Sequence, residues 1–149
     1  TNFESLQNLE NGNLETIRSV DGQSYYSKDE LTTALAQLIQ HFEPQRIDTQ
    51  APSNLSQVHP DHSDHLTVGK FAQAAAQQYF DSGKTAKMSY YVGYPIQDSP
   101  ENVSGQDLID KSTAFFAYAR HDNNVCPDVT SCAKGPYEQW LRRQYTHGF

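Results

Sequence analysis

The sequence predicts an α/β fold: a three-layer, Rossmann-like arrangement in which helices flank a mostly parallel sheet, with only the carboxyl-terminal half of that fold carried here. Three observations lead there. Segments of strand character alternate with segments of helical period. The count, about three strands and four helices, is half that of a usual doubly wound sheet. A dense histidine run also falls behind a strand and at the start of a helix, where ligands bind in open α/β sheets. The 149 residues are expected to form a single partial α/β domain, residues 1–149, long enough to bury a core.

Residues 1–15 are polar and read as loop with a short helical turn at Glu4 to Leu9. Thr16 to Val20 alternates as a strand does and meets the turn Asp21-Gly22. Ser27-Lys28-Asp29-Glu30 spells a capping box, with Leu31, Ala34, Leu35, Leu38, Ile39 and Phe42 behind it at helical spacing and Pro44 as the stop. Arg46 to Gln50 is a short strand candidate, and a polar loop follows to Val58. Leu66 to Phe80 reads as a helix with Val68, Phe71, Ala72, Ala75 and Tyr79 on one face. Lys87 to Tyr94 reads as a strand, and Pro95 and Pro100 bracket a loop. Ser104 caps a helix whose buried face carries Leu108, Ile109, Ser112, Phe115, Phe116 and Ala119, and a last short helix starts near Pro136 and includes Trp140.

Composition excludes some classes of function. The net charge is −7 and no basic stripe exists, so nucleic acid is not expected as a partner. No run of 18 apolar residues is present, so no transmembrane segment is expected. The chain opens on Thr1 rather than Met, without a charged and then apolar leader, which points to processing or an engineered start. Sparse Lys and Arg, with abundant Gln, Asn, Ser, Thr and Tyr, suit an extracellular protein. Cys126 and Cys132 lie in a turn-rich stretch, either as two free thiols or, in a secreted chain, as a small disulfide loop. Two glycosylation sequons, Asn54-Leu55-Ser56 and Asn102-Val103-Ser104, add to the secreted reading.

The run His59-Pro60-Asp61-His62-Ser63-Asp64-His65 carries the chemistry. Imidazole nitrogens suit zinc, and a carboxylate either binds metal or orients an imidazole through its second nitrogen. His59 and His62, and likewise His62 and His65, are three apart and share a helix face. At a loop-to-helix junction one imidazole can bind metal while another acts on substrate. Asp61 or Asp64 would hold a tautomer, and Asp64 is also a candidate helix cap. The bland alternatives are a solvated polar loop and adventitious metal binding by it. His41 reads as a cation at a helix end, His121 as loop, and His147 lies near the chain end. The sequence thus looks one or two ligands short of a zinc site, which wants three protein ligands and an open position.

The run His62-Ser63-Asp64-His65-Leu66-Thr67-Val68 resembles the second motif of the LmbE/PIG-L-like N-acetylglucosaminyl deacetylases. So do, in order, Val20-Asp21-Gly22 with Tyr25-Tyr26-Ser27, Phe42-Glu43-Pro44, Phe71-Ala72-Gln73-Ala74-Ala75, Gly93-Tyr94-Pro95-Ile96, Asn102-Val103-Ser104-Gly105, the Lys111 helix and the Cys126/Cys132 loop. The likeness covers nearly the whole chain, as the carboxyl-terminal half of a secreted member. It implies a zinc-dependent amidohydrolase that removes acetyl from an N-acetylglucosaminyl-type amino sugar by attack of a zinc-activated water. His65 would be a Zn2+ ligand, His62 a general acid and oxyanion stabiliser, and Asp64 a residue supporting them. His59-Pro60-Asp61-His62 spells the motif more literally, so its register stays open between 59–62 and 62–65. The family's first motif, Ala-His-Pro-Asp-Asp-Glu, is absent from the sequence. The implied partner is therefore an amino-terminal half supplying the other ligands and the general base. The alternative is a remnant: a non-catalytic secreted domain that binds carbohydrate or metal, with Tyr25, Tyr26, Tyr90, Tyr91 and Tyr94 either stacking on sugars or packing the core.

Overall fold

The computed structural model of the chain describes residues 5–54, 56 and 58–147. Contacts group it into two compact units, Thr1–Gly93 with Thr146–Phe149, and Tyr94–Tyr145.

In the first unit, α1 (Leu6–Glu10) is capped by the Ser5 hydroxyl and buries Leu9. An antiparallel hairpin pairs β1 (Ile17–Arg18) with β2 (Tyr25–Tyr26), and its turn places Gly22 at φ +72°. The anticipated capping box opens α2 (Lys28–Phe42): the Ser27 hydroxyl accepts from Glu30 N–H while the Glu30 carboxylate accepts from Ser27 N–H. Glu43, in the left-handed region at φ 43°, ends α2 just before Pro44.

A β-α-β unit follows: β3 (Arg46–Gln50), α3 (Ser63–Asp81) and β4 (Lys87–Tyr91). β3 and β4 run parallel in register from Arg46↔Lys87 to Gln50↔Tyr91, with α3 as the crossover. A short β5 (Thr146–His147) adds to β4 antiparallel. The pattern along α3 buries Phe71, Ala75, Ala76 and Tyr79, and α3 packs on both α2 and β3. Gly69 sets how closely α3 meets the end of β3, because a Cβ there would lie 2.4 Å from the Gln50 carbonyl oxygen.

The second unit holds a 3₁₀ turn (Tyr94–Asp98) and three helices, α4 (Gly105–Ala119), α5 (Val129–Cys132) and α6 (Tyr137–Leu141). Cys126 and Cys132 sit at disulfide distance, Cα–Cα 5.1 Å. Aromatic rings interlock α4 with α6 and the 3₁₀ turn: Phe115 meets Tyr137, Tyr137 meets Trp140, and Trp140 lies 4.8 Å from Tyr94 between centroids. The Lys111 ammonium donates to the Trp140 and Arg143 carbonyls at the end of α6, and its burial pushes its pKa down.

The chain is α/β, as anticipated, but the described residues form two small sheets, a two-stranded hairpin and a three-stranded sheet with one parallel pair. Element boundaries differ from the periodicity. α3 begins at Ser63 rather than Leu66, because His62 supplies a cap that apolar spacing does not reveal. β2 and β5, two residues each, are too short to carry an alternation signal. Ile109, assigned to a buried face, is exposed. Among the described residues no helix is long and apolar enough to cross a membrane.

Candidate functional site

The parallel pair decides where the site lies. Beyond Gln50 the chain continues beside β4, with Ala51 N–H donating to the Tyr91 carbonyl, and then loops back to the N-terminus of α3. The histidine run therefore sits at the carboxyl ends of the parallel strands, the position expected for it.

Asp61 is the hub. Its side chain is 3% exposed and both of its carboxylate oxygens are engaged. Oδ1 receives His62 N–H at 2.9 Å and lies 2.8 Å from His65 Nδ1; Oδ2 receives Gly93 N–H at 3.0 Å. Asn54 Oδ1 fixes the backbone by accepting from Asp61 N–H at 2.8 Å. Gly93, two residues past β4, has no substitute of ordinary size, since a Cβ there would lie 2.5 Å from both carboxylate oxygens. A buried carboxylate needs this many donors to offset its lost hydration.

These bonds set the chemistry of the two imidazoles. A carboxylate only accepts, so His65 Nδ1 carries a hydrogen and the neutral ring keeps its lone pair on Nε2. His62 is oriented the opposite way. Its Nδ1 caps α3 by accepting Asp64 N–H at 3.1 Å, which places the ring proton on Nε2. The two rings stand 5.7 Å apart between centroids, His65 half-buried and His62 more exposed. One side of the cluster thus offers a lone pair and the other a proton.

His62, Asp64 and His65 are brought together within one turn of α3. Of the two carboxylates expected to hold an imidazole, Asp61 does so, and the cap expected of Asp64 comes from His62. Asp64 does not cap the helix; it occupies the first turn, where its charge suits the helix dipole, with Oδ2 3.9 Å from His62 Nδ1. The carboxylate holding His65 belongs to Asp61. His59 is exposed in the preceding loop, where its N–H donates to Ser56 Oγ; Leu55, the middle residue of the Asn54 sequon, lies outside the described residues. His41 lies in the last turn of α2 and His121 in the turn after α4. Gly93 and Asn54 were not among the predicted site residues. Asp61 had a signal, its i,i+4 spacing to His65, whereas Gly93 lies 32 residues from Asp61.

Zinc wants three or four converging ligands. Among the described residues no group of three or more His, Cys, Asp or Glu side chains is arranged to hold a metal ion. The cluster fits one side of such a site, through a carboxylate-oriented imidazole, and does not make a whole one. Compared with family models, with characterised proteins and with solved structures, the chain matches none.

Proposed function

We propose that this chain is the carboxyl-terminal part of a secreted, zinc-dependent de-N-acetylase of LmbE/PIG-L type, acting on an N-acetylated amino sugar and completed by an amino-terminal half that supplies the remaining ligands. On this reading its parallel pair belongs to a larger three-layer, Rossmann-like sheet. The observation that supports it most is the Asp61–His65 pair beside His62. Carboxylate–histidine pairing is the usual way a metal-binding imidazole is held. His65 would bind Zn2+ through Nε2, and a bound zinc would supply Lewis-acid polarisation of a carbonyl. His62, with its N–H on Nε2 while Nδ1 accepts Asp64 N–H, would donate a hydrogen bond to the developing oxyanion, and could protonate the leaving amine only after releasing that cap and taking up a second proton. Asp64 would tune His62 across the 3.9 Å gap to Nδ1. The Cys126–Cys132 pair supports the extracellular assignment, because disulfides persist in oxidising compartments.

The test is reconstitution with a polypeptide that carries a His-Pro-Asp-Asp motif. The complex is expected to bind about one zinc and release acetate from N-acetylglucosaminides, and His65→Ala to lose the metal. Unchanged zinc content in His65→Ala would sink the ligand assignment. One alternative is a non-catalytic secreted domain that binds carbohydrate or metal. On that reading zinc or sugar binding persists while no partner restores hydrolysis.

A further inference from the structure

The two glycosylation sequons are chemically unequal in the folded chain. Asn102 is clamped to one residue: its Nδ2 donates to the Gln144 carbonyl at 2.8 Å and its Oδ1 accepts Gln144 N–H at 2.8 Å. The backbone beside it is paired as well, since Asn102 N–H and Val103 N–H both donate to the Arg142 carbonyl. A two-point clamp onto one residue's N–H and C=O uses one edge of the amide, so the engaged hydrogen is the one on the same side as Oδ1. N-glycosylation replaces that same hydrogen. The product is a secondary amide, which prefers trans, and trans places the sugar carbon beside the oxygen. The clamp and the glycan therefore exclude each other unless the amide turns cis. Asn54 makes only a one-point bond, its Oδ1 accepting from Asp61 N–H, and among the described residues its Nδ2 makes no hydrogen bond.

We propose that Asn54 is the N-glycan acceptor of the folded protein and that Asn102 is a structural clamp that stays bare despite its sequon. In the modification, Asn54 Nδ2 forms a bond to the anomeric carbon of an oligosaccharide supplied as a lipid-linked diphosphate. The anomeric carbon–oxygen bond breaks, the diphosphate leaves with its electron pair, and Nδ2 loses one proton. A chain modified at Asn102 before folding cannot close the clamp onto Gln144, so the folded population lacks it. The proposal rests on the extracellular reading, since only a chain that enters a secretory pathway meets this donor.

The experiment secretes the full chain from cultured insect cells behind an added leader, followed by intact-mass analysis and peptide-N-glycosidase mapping of the folded product. One glycan is expected, at Asn54. Ser56→Ala should remove all of its mass, Ser104→Ala should change nothing, and Ser104→Thr, a stronger acceptor sequence, should still add none. A glycan at Asn102 in folded material, or a bare Asn54, overturns the proposal. The added leader delivers the chain to the transferase whatever its native destination, so those outcomes leave the extracellular reading untouched; locating the protein in its own host tests that separately. Asn102→Asp sets an oxygen against the Gln144 carbonyl and should lower Tm measurably, and an unchanged Tm also overturns the clamp.

Discussion

At the scale of residues, the candidate site depends on one buried carboxylate with both oxygens engaged. Oδ1 of Asp61 serves His62 N–H and His65, and Oδ2 serves Gly93 N–H. In Asp61→Asn the amide must turn its NH2 toward one of those donors, whichever way it is placed. The variant should lose about 1–3 kcal/mol, the cost of a buried group left unsatisfied. Chemical denaturation measures it, and a change within about 0.5 kcal/mol would show that the carboxylate is not held as described. Gly93→Ala attacks the same contact from the other side, because the added methyl would lie 2.5 Å from both oxygens. It should cost about 1–3 kcal/mol, as overpacking does. Gly135→Ala, where a Cβ meets nothing within 4 Å, is the control and should be near neutral. The histidines and Asp61 were legible because helix spacing places them together. Gly93 was not, since a close approach across 32 residues leaves no local pattern.

At the scale of elements, what could be read in advance follows how local the cause is. The cap of α2 depends on two residues three apart, and its prediction matches the helix found. Ser27→Ala should cost about 1 kcal/mol of stability, read from urea denaturation. The same cap gives a pH dependence. The Ser27 N–H and then its hydroxyl, both bonded to the Glu30 carboxylate, hold its pKa below the usual range. A carboxylate whose folded pKa is depressed contributes stability above its unfolded value, near pH ~4, and that contribution is lost as pH falls through the folded value. The Tm gap between the wild type and Glu30→Gln should therefore close on acidification from neutral pH to about pH 3. A gap that stays constant would remove the charged cap from the account. α3 was harder to place because its start depends on a histidine acting as cap, and its packing depends on Gly69. Gly69→Ala gains helix propensity of about 1 kcal/mol, yet the methyl would lie 2.4 Å from the Gln50 carbonyl. Net destabilisation is the expected result.

At the scale of the whole molecule, the alternation of elements was legible as α/β, but not the division of contacts into two units. Periodicity reports which face of an element is buried and says nothing of which elements share a core. Apart from α4, the second unit consists of short helices and turns, with α5 and α6 spanning four and five residues. Helices so short gain little from backbone bonds alone, so the unit depends on its ring contacts and on cross-linking. Cys126 and Cys132, six apart in sequence, close a small loop, and a loop of that size restricts the unfolded chain by about 2 kcal/mol. No cysteine lies in the first unit. Reduction under native conditions should therefore lower amide-exchange protection in α4, α5 and α6 by about 2 kcal/mol, or roughly thirtyfold. Protection in α2 and α3 should hold, because their burial rests on Ala36, Phe71, Ala75 and Tyr79 within the first unit. An equal loss in both sets of helices would mean that the two units open together, and the disulfide would then be stabilising the entire chain rather than its own unit.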